Sequence, residues 1–238
     1  MISLVALAML TVQGQQPAPT QVAALEPLKV KLSRTYKAGE SQAYKAWFTM
    51  KSDDMPSEMR VEGEFVRTTK ELAAEGEAKV ETEYRAVKMS FGDEAQDADE
   101  LPKPLTAEHN VMGLAKAFDL NDEEDPLGFV LATFMLPGKE AEIGKPFPLT
   151  WSSSADSKFE GEWTLIATGM LYEEHVAKVK VSMKGTPKDD VAGSFNYIAY
   201  FNTETGKLVK AEGTVATEGE ELGKVNVKFD VSKVRDKK

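Results

Sequence analysis

The chain has no cysteine. That absence excludes a disulfide framework, thiolate metal sites, a cysteine nucleophile and a lipid-anchored cysteine behind a signal. An exported chain without cysteine folds without oxidation, which suits a bacterial envelope or secreted protein better than a small eukaryotic extracellular domain. Histidine is scarce too, with His109 and His175 the only two. A serine nucleophile would need one of them as its base, and no serine sits in a Gly-x-Ser-x-Gly elbow. There is no glycine-rich phosphate loop and no basic-aromatic patch. Positive charge is in deficit, at 29 Lys and Arg against 39 Asp and Glu, for a net charge of −10. An acidic surface repels phosphate backbones and anionic headgroups, so nucleic acid and membrane surfaces are not expected partners.

An apolar run of membrane-spanning length is also missing. Residues 2–12, ISLVALAMLTV, are too few to cross a bilayer as a helix. They fit the apolar core of a secretory signal, with Val12-Gln13-Gly14 as a small-residue cleavage site, although no Lys or Arg precedes the run. Residues 1–14 are therefore expected to be a signal peptide and 15–27, rich in Gln and Pro, an exposed linker. The expected location is secreted or periplasmic.

What is present is strand pattern. Hydrophobic residues make up 42% and charged residues 29%, the balance of a folded globular chain. Leu28, Val30 and Leu32 alternate with lysines, and 42–51 carry Tyr44, Trp47 and Phe48. Over 58–68, Met59, Val61, Gly63 and Phe65 share one face, opposite Glu58, Arg60, Glu62 and Glu64. One dry and one wet face is the mark of an antiparallel sheet. The pattern returns at 147–151, 158–168, 175–184 and in the hairpin GSFNYIAYF–NTETG–KLVKAEGTVAT, where Gly206 supplies the positive φ of the turn. A last strand alternates Val225, Val227, Phe229 and Val231 with polar residues.

Between the two runs of strands the period changes. Residues 92–104 are acidic and bounded by proline. Over 106–118 the positions Val111, Leu114, Ala115 and Phe118 fit a helix face capped by Thr106, and Asp125-Pro126 would open a second short helix over PLGFVLATFM, with a buried strand as the competing reading.

Part of the chain recurs. VEGEF at 61–65 and FEGEW at 159–163 are each followed by a turn and an AKV segment, Ala78–Val80 and Ala177–Val179. The pattern reads as an internal duplication, or as strands of one Lys/Glu-rich chain looking alike. Gly63, Gly161 and Gly213 fall on the predicted inner face, where a strand glycine marks a bend. The expected fold is mainly β: about ten antiparallel strands in two related curled half-sheets, barrel or half-barrel-like, with a central helical insertion. The divisions are 28–91 for the first half, 92–142 for the insertion and 143–234 for the second half, in one compact domain.

Candidate chemistry is thin. DLNDEED at 119–125 spaces oxygen ligands as a calcium loop does, but its sixth position is Glu124 in place of Gly and its twelfth is Val130 in place of Glu, so no metal is expected there. The pairs Glu62/Glu64 and Glu160/Glu162 have the makings of a glycosidase dyad, but they lie on the wet face among Lys and Arg. Cross-strand charge pairing explains them. No catalytic, cofactor-binding or metal-ligating residue is assigned, and no cofactor is expected. If the sheet curls without filling, Trp47, Met59, Phe65, Tyr84, Trp151, Phe159, Trp163 and Met183 would line an apolar ligand cavity.

The segments YKAGESQAYK at 36–45, LPGKEAEIGKPFPLTW at 136–151 and FNTETGKLVKAEG at 201–213 resemble a group of uncharacterised secreted bacterial proteins of duplicated antiparallel sheet. That resemblance implies a fold and no activity. A more distant fold-level likeness is to periplasmic lipoprotein carriers, whose curled sheet and helical lid hold acyl chains; residues 106–135 would stand where the lid does. Three roles follow as expectations: an exported, non-enzymatic binding or structural module of the bacterial envelope, with an envelope protein as a partner; a carrier of a lipid or other apolar small molecule; or a hydrolase using a carboxylate pair.

Overall fold

The computed structural model describes residues 29–53, 57–92, 94–98, 100–101, 103–115, 134–152, 158–188, 191–219 and 223–235. The expected signal peptide, the linker, the 119–125 loop and most of the second expected helix lie outside these residues.

The described chain is strand almost throughout. In order they are β1 (Lys29–Leu32), β2 (Ser41–Ser52), β3 (Met59–Leu72), β4 (Ala78–Phe91), β5 (Glu94–Asp97), β6 (Leu105–His109), β7 (Lys139–Glu142), β8 (Pro146–Trp151), β9 (Lys158–Leu171), β10 (Glu174–Lys188), β11 (Val191–Asn202), β12 (Leu208–Gly219) and β13 (Gly223–Lys233). Eleven of them make one antiparallel sheet in the order β5-β4-β3-β2-β13-β12-β11-β10-β9-β8, with β6 also pairing β4. β1 and β7 form a separate two-stranded ribbon. The halves are therefore not two sheets. Hydrogen bonding between β2 and β13, from Tyr44↔Lys233 to Ser52↔Val225, welds them into one. The sheet does not close into a barrel, because its path ends at β5 and β8.

The repeated segments occupy equivalent places. VEGEF lies in β3 and its AKV in the partner β4; FEGEW lies in β9 and its AKV in β10. Along the sheet, β4-β3-β2 and β10-β9-β8 run in the same order. Two of the inner glycines sit where a neighbouring strand comes very close. A Cβ on Gly161 would sit 2.0 Å from the Ser182 carbonyl oxygen, and one on Gly213 would sit 2.4 Å from that of Asn196. Only hydrogen fits where neighbouring backbones come so close.

Alternation builds the core. Tyr44, Ala46 and Phe48 of β2, Val61 and Phe65 of β3, Phe159, Trp163 and Leu165 of β9, and Phe229 and Val231 of β13 are all buried on one face. Each large side chain removed from water there contributes about 2 kcal/mol. β1 joins the same core through the fully buried Leu32.

Among the described residues the expected helical insertion is not seen. The 3.6-residue pattern over 106–118 loses to strand pairing: Leu105–His109 run antiparallel to β4, from Leu105↔Thr82 to His109↔Ala78. β4 had an unpaired edge at that point, and an unpaired edge is costly to leave open. Phe134 and Met135, the end of the second expected helix, are irregular and buried. The first expected strand, read over 28–36, is also shorter than expected, with β1 covering Lys29–Leu32. It stops at Leu32, because Arg34 N–H bonds the Val111 carbonyl at 2.7 Å and Thr35 N–H that of Thr205 at 2.9 Å. Among the described residues no helix is long and apolar enough to cross a membrane.

Candidate functional site

Of the eight residues expected to line a ligand cavity, six of the described side chains face the core and one does not. Phe65, Tyr84, Phe159, Trp163 and Met183 are buried in the core, and Met59 is half-buried against it. Trp47 is on the other face. It falls between the buried Ala46 and Phe48, so the period of β2 turns its indole outward, where Arg60 stacks on it at 5.0 Å. This corrects the expectation for Trp47, which rested on hydrophobicity and not on phase. The side chain of Trp151 lies outside those described.

The inner face is covered by the chain's own insertion. Phe134, Met135 and Leu136 are at most 5% exposed. The Phe134 ring meets Tyr197 edge-on at 5.4 Å and Phe229 at 5.8 Å. Trp163 Nε1–H donates to the Met135 carbonyl at 3.2 Å, and Met135 N–H donates to the Tyr197 hydroxyl at 3.4 Å. Leu136 N–H donates to the Met112 carbonyl at 2.9 Å, which ties the two ends of the insertion together.

At one edge of this packing is a polar cluster that the sequence reading missed. Arg67 continues the inner phase of β3 past Val61, Gly63 and Phe65, opposite Gln42 and Thr82. His109 ends β6 and is 4% exposed. Arg34 and Tyr36 follow β1. They line, with Arg67, Tyr44 and Leu208, a cavity of about 30 Å³.

The hydrogen bonds fix the states of these groups. His109 Nδ1–H donates to the Gly113 carbonyl at 3.0 Å, so Nε2 keeps its lone pair and accepts from Arg67 Nη2 at 3.1 Å. Burial, then the Arg67 charge, pushes the His109 imidazole down to about 3. Both ring nitrogens are occupied and the ring is neutral. Tyr36 donates to the Asn110 carbonyl at 3.1 Å, and Tyr44 to that of Leu208 at 3.3 Å. Burial raises the Tyr36 phenol above its usual range. Burial chiefly holds the Arg67 guanidinium below its usual range, and its Nε–H is buried without a hydrogen-bond partner. No carboxylate lines the cavity among the described residues.

The other candidates are placed apart from this cluster. Glu62 pairs with Arg60 at 2.7 Å, Glu64 with Lys45 across the strands at 2.5 Å, and Glu160 with Lys158 at 2.6 Å, all on the wet face. His175 is exposed at the start of β10, and its carbonyl accepts from Thr203 N–H. Among the described residues no group of three or more His, Asp or Glu side chains is placed to hold a metal ion.

No protein-family model matches the chain, and no curated protein sequence matches it. Among solved structures it is similar to DynF from the dynemicin biosynthesis pathway of Micromonospora chersina, at 8% identity over 92% of each chain, with a TM-score of 0.25. It is also similar to a DUF1329 family protein from Desulfovibrio piger, at 9% identity over 84% of this chain and 88% of that one, with a TM-score of 0.19. Scores this low carry no argument about function.

Proposed function

We propose that this chain is an exported, non-enzymatic β-rich protein that serves as a binding or structural module of the bacterial envelope. The observation that carries the reading is the buried Phe134–Leu136 segment, which packs on the inner face where a ligand or a reaction centre would otherwise lie. Glu62, Glu64 and Glu160 of the repeated strands are paired with Lys and Arg on the outside, and His109 spends both nitrogens on internal bonds. Neither leaves a free proton carrier of the kind that hydrolysis needs. Exposed apolar side chains offer places for a protein partner: Phe91 is 53% exposed and Met170 58%.

A second reading, a carrier of a lipid or other apolar ligand, is favoured by one feature. What covers the sheet is a segment of the insertion, and a segment can be displaced where the side chains of the sheet cannot. A native mass spectrum of the protein purified from its own host separates the two. The first reading expects the bare mass of a chain cut after Gly14. A lipid-sized adduct would overturn it in favour of the carrier.

A further inference from the structure

Among the described residues no negative charge lines the cavity beside Arg67. Arg67 reaches the inner face of β3 with a neutral histidine as its side-chain partner and a buried, unsatisfied Nε–H. The other charged group lining the cavity is Arg34, which repels it. Arg34 stacks over Tyr36 at 5.2 Å, and stacking does not neutralise either guanidinium. Glu40, in the turn before β2, is held by Lys207. Both arginines are half-buried and the Arg67 Nε is fully enclosed, and two cations facing one cavity with no counter-charge among the described residues are costly to keep. The rest of the lining joins the Tyr36 and Tyr44 phenols, which donate to backbone carbonyls, to apolar side chains such as Val80, Phe134 and Leu136, and none of these carries a negative charge.

We propose that this cavity binds a carboxylate, held between the Arg34 and Arg67 guanidiniums. Size and chemistry select that class. About 30 Å³ accommodates a group of a few atoms and not a bulky one. Guanidinium matches the planar, two-oxygen geometry of a carboxylate better than it matches a spherical halide. Arg34 and Tyr36 are half-buried, so the cavity is reached past their side chains. The carboxylate is a small free acid, or the head group of a longer chain whose tail leaves along the apolar wall of Phe134 and Leu136. The site stands independently of the role proposed above.

The test uses the intact protein and three sodium salts at equal ionic strength: acetate, laurate and chloride. Melting temperature and the Nε–H resonance of Arg67 in the ¹H–¹⁵N spectrum are followed together. At ten times Kd, a carboxylate bound only to the folded state raises the melting temperature by about 3–6 °C. The Arg67 Nε–H resonance shifts with the same saturation. An effect of acetate alone assigns the site to small free acids, and an effect of laurate at far lower concentration assigns it to amphiphiles. Arg67→Met and Arg34→Gln each remove the response, and the second keeps the test open if the first does not fold. Chloride acting as well as the carboxylates, or no saturable shift of the Nε–H in the native protein, overturns the proposal.

Discussion

His109 makes the stability of this fold depend on pH in a direction and size that can be worked out. In the folded chain its imidazole is held at about 3, against 6.5 for the free side chain. The unfolded chain therefore takes up a proton as the pH falls through 6.5, and the folded chain does not until about 3. Stability is full above the unfolded value and is lost as the pH falls through that window. Between about pH 7.5 and about pH 5, linkage makes this one group's share of the loss about 2 kcal/mol. The cause is physical and local: the ring itself is buried, and once protonated it would face Arg67 at 3.1 Å. Urea unfolding at the two pH values measures it, and His109→Gln isolates it. The variant keeps a carbonyl for Arg67 and an N–H for Gly113 but cannot titrate. Its stability should fall by about 2 kcal/mol less than the wild type's over the same interval. Parallel losses in the two proteins, or a His109 ring proton that titrates near 6.5 in the NMR spectrum, would refute the reasoning.

Two further predictions test the curl and its turns. Gly161→Ala places a Cβ 2.0 Å from the Ser182 carbonyl oxygen, so it should cost about 3 kcal/mol in thermal or chemical unfolding. Gly169→Ala on the same strand meets nothing within 4 Å and should be neutral or slightly stabilising; equal costs at both sites would remove the bend argument. The β9–β10 turn places Tyr172 at φ 54° and Glu173 at φ 67°, a conformation that favours Asn-Gly. Tyr172→Asn with Glu173→Gly should stabilise by about 1 kcal/mol, less whatever the Arg235–Tyr172 stacking contributes. An unchanged or lower denaturation midpoint would count against strain in that turn.

The strands were legible because their signal is local. The β11–β12 hairpin is a direct case. Its alternation and its Asn202–Gly206 loop are written in consecutive residues, and Gly206 takes φ 65° there with its N–H on the Asn202 carbonyl. The outward placement of Glu62 and Glu64 follows from the same period, and so does the inward placement of Gly161 and Gly213. Trp47 was misplaced where hydrophobicity was set above phase. Arg67 was legible in principle, since counting on from Phe65 by two puts a cation on the dry face of β3.

Tertiary structure decided what no window of sequence contains. Residues 106–118 carry a helical pattern, but the open edge of β4 offered backbone partners to 105–109, and pairing an edge outweighs a short amphipathic preference. The joining of the two halves through β2 and β13 depends on strands far apart in the chain, and nothing local encodes it. The polar cluster is built from the same kind of distant pieces. Arg34 and Tyr36 follow β1, Arg67 is on β3, His109 ends β6, and Leu208 opens β12. Alternation told which side chains turn inward, because that depends only on the backbone period of two. Which inward side chains meet, and what charge they leave uncompensated, depended on how the sheet curls and on which segment lies across it.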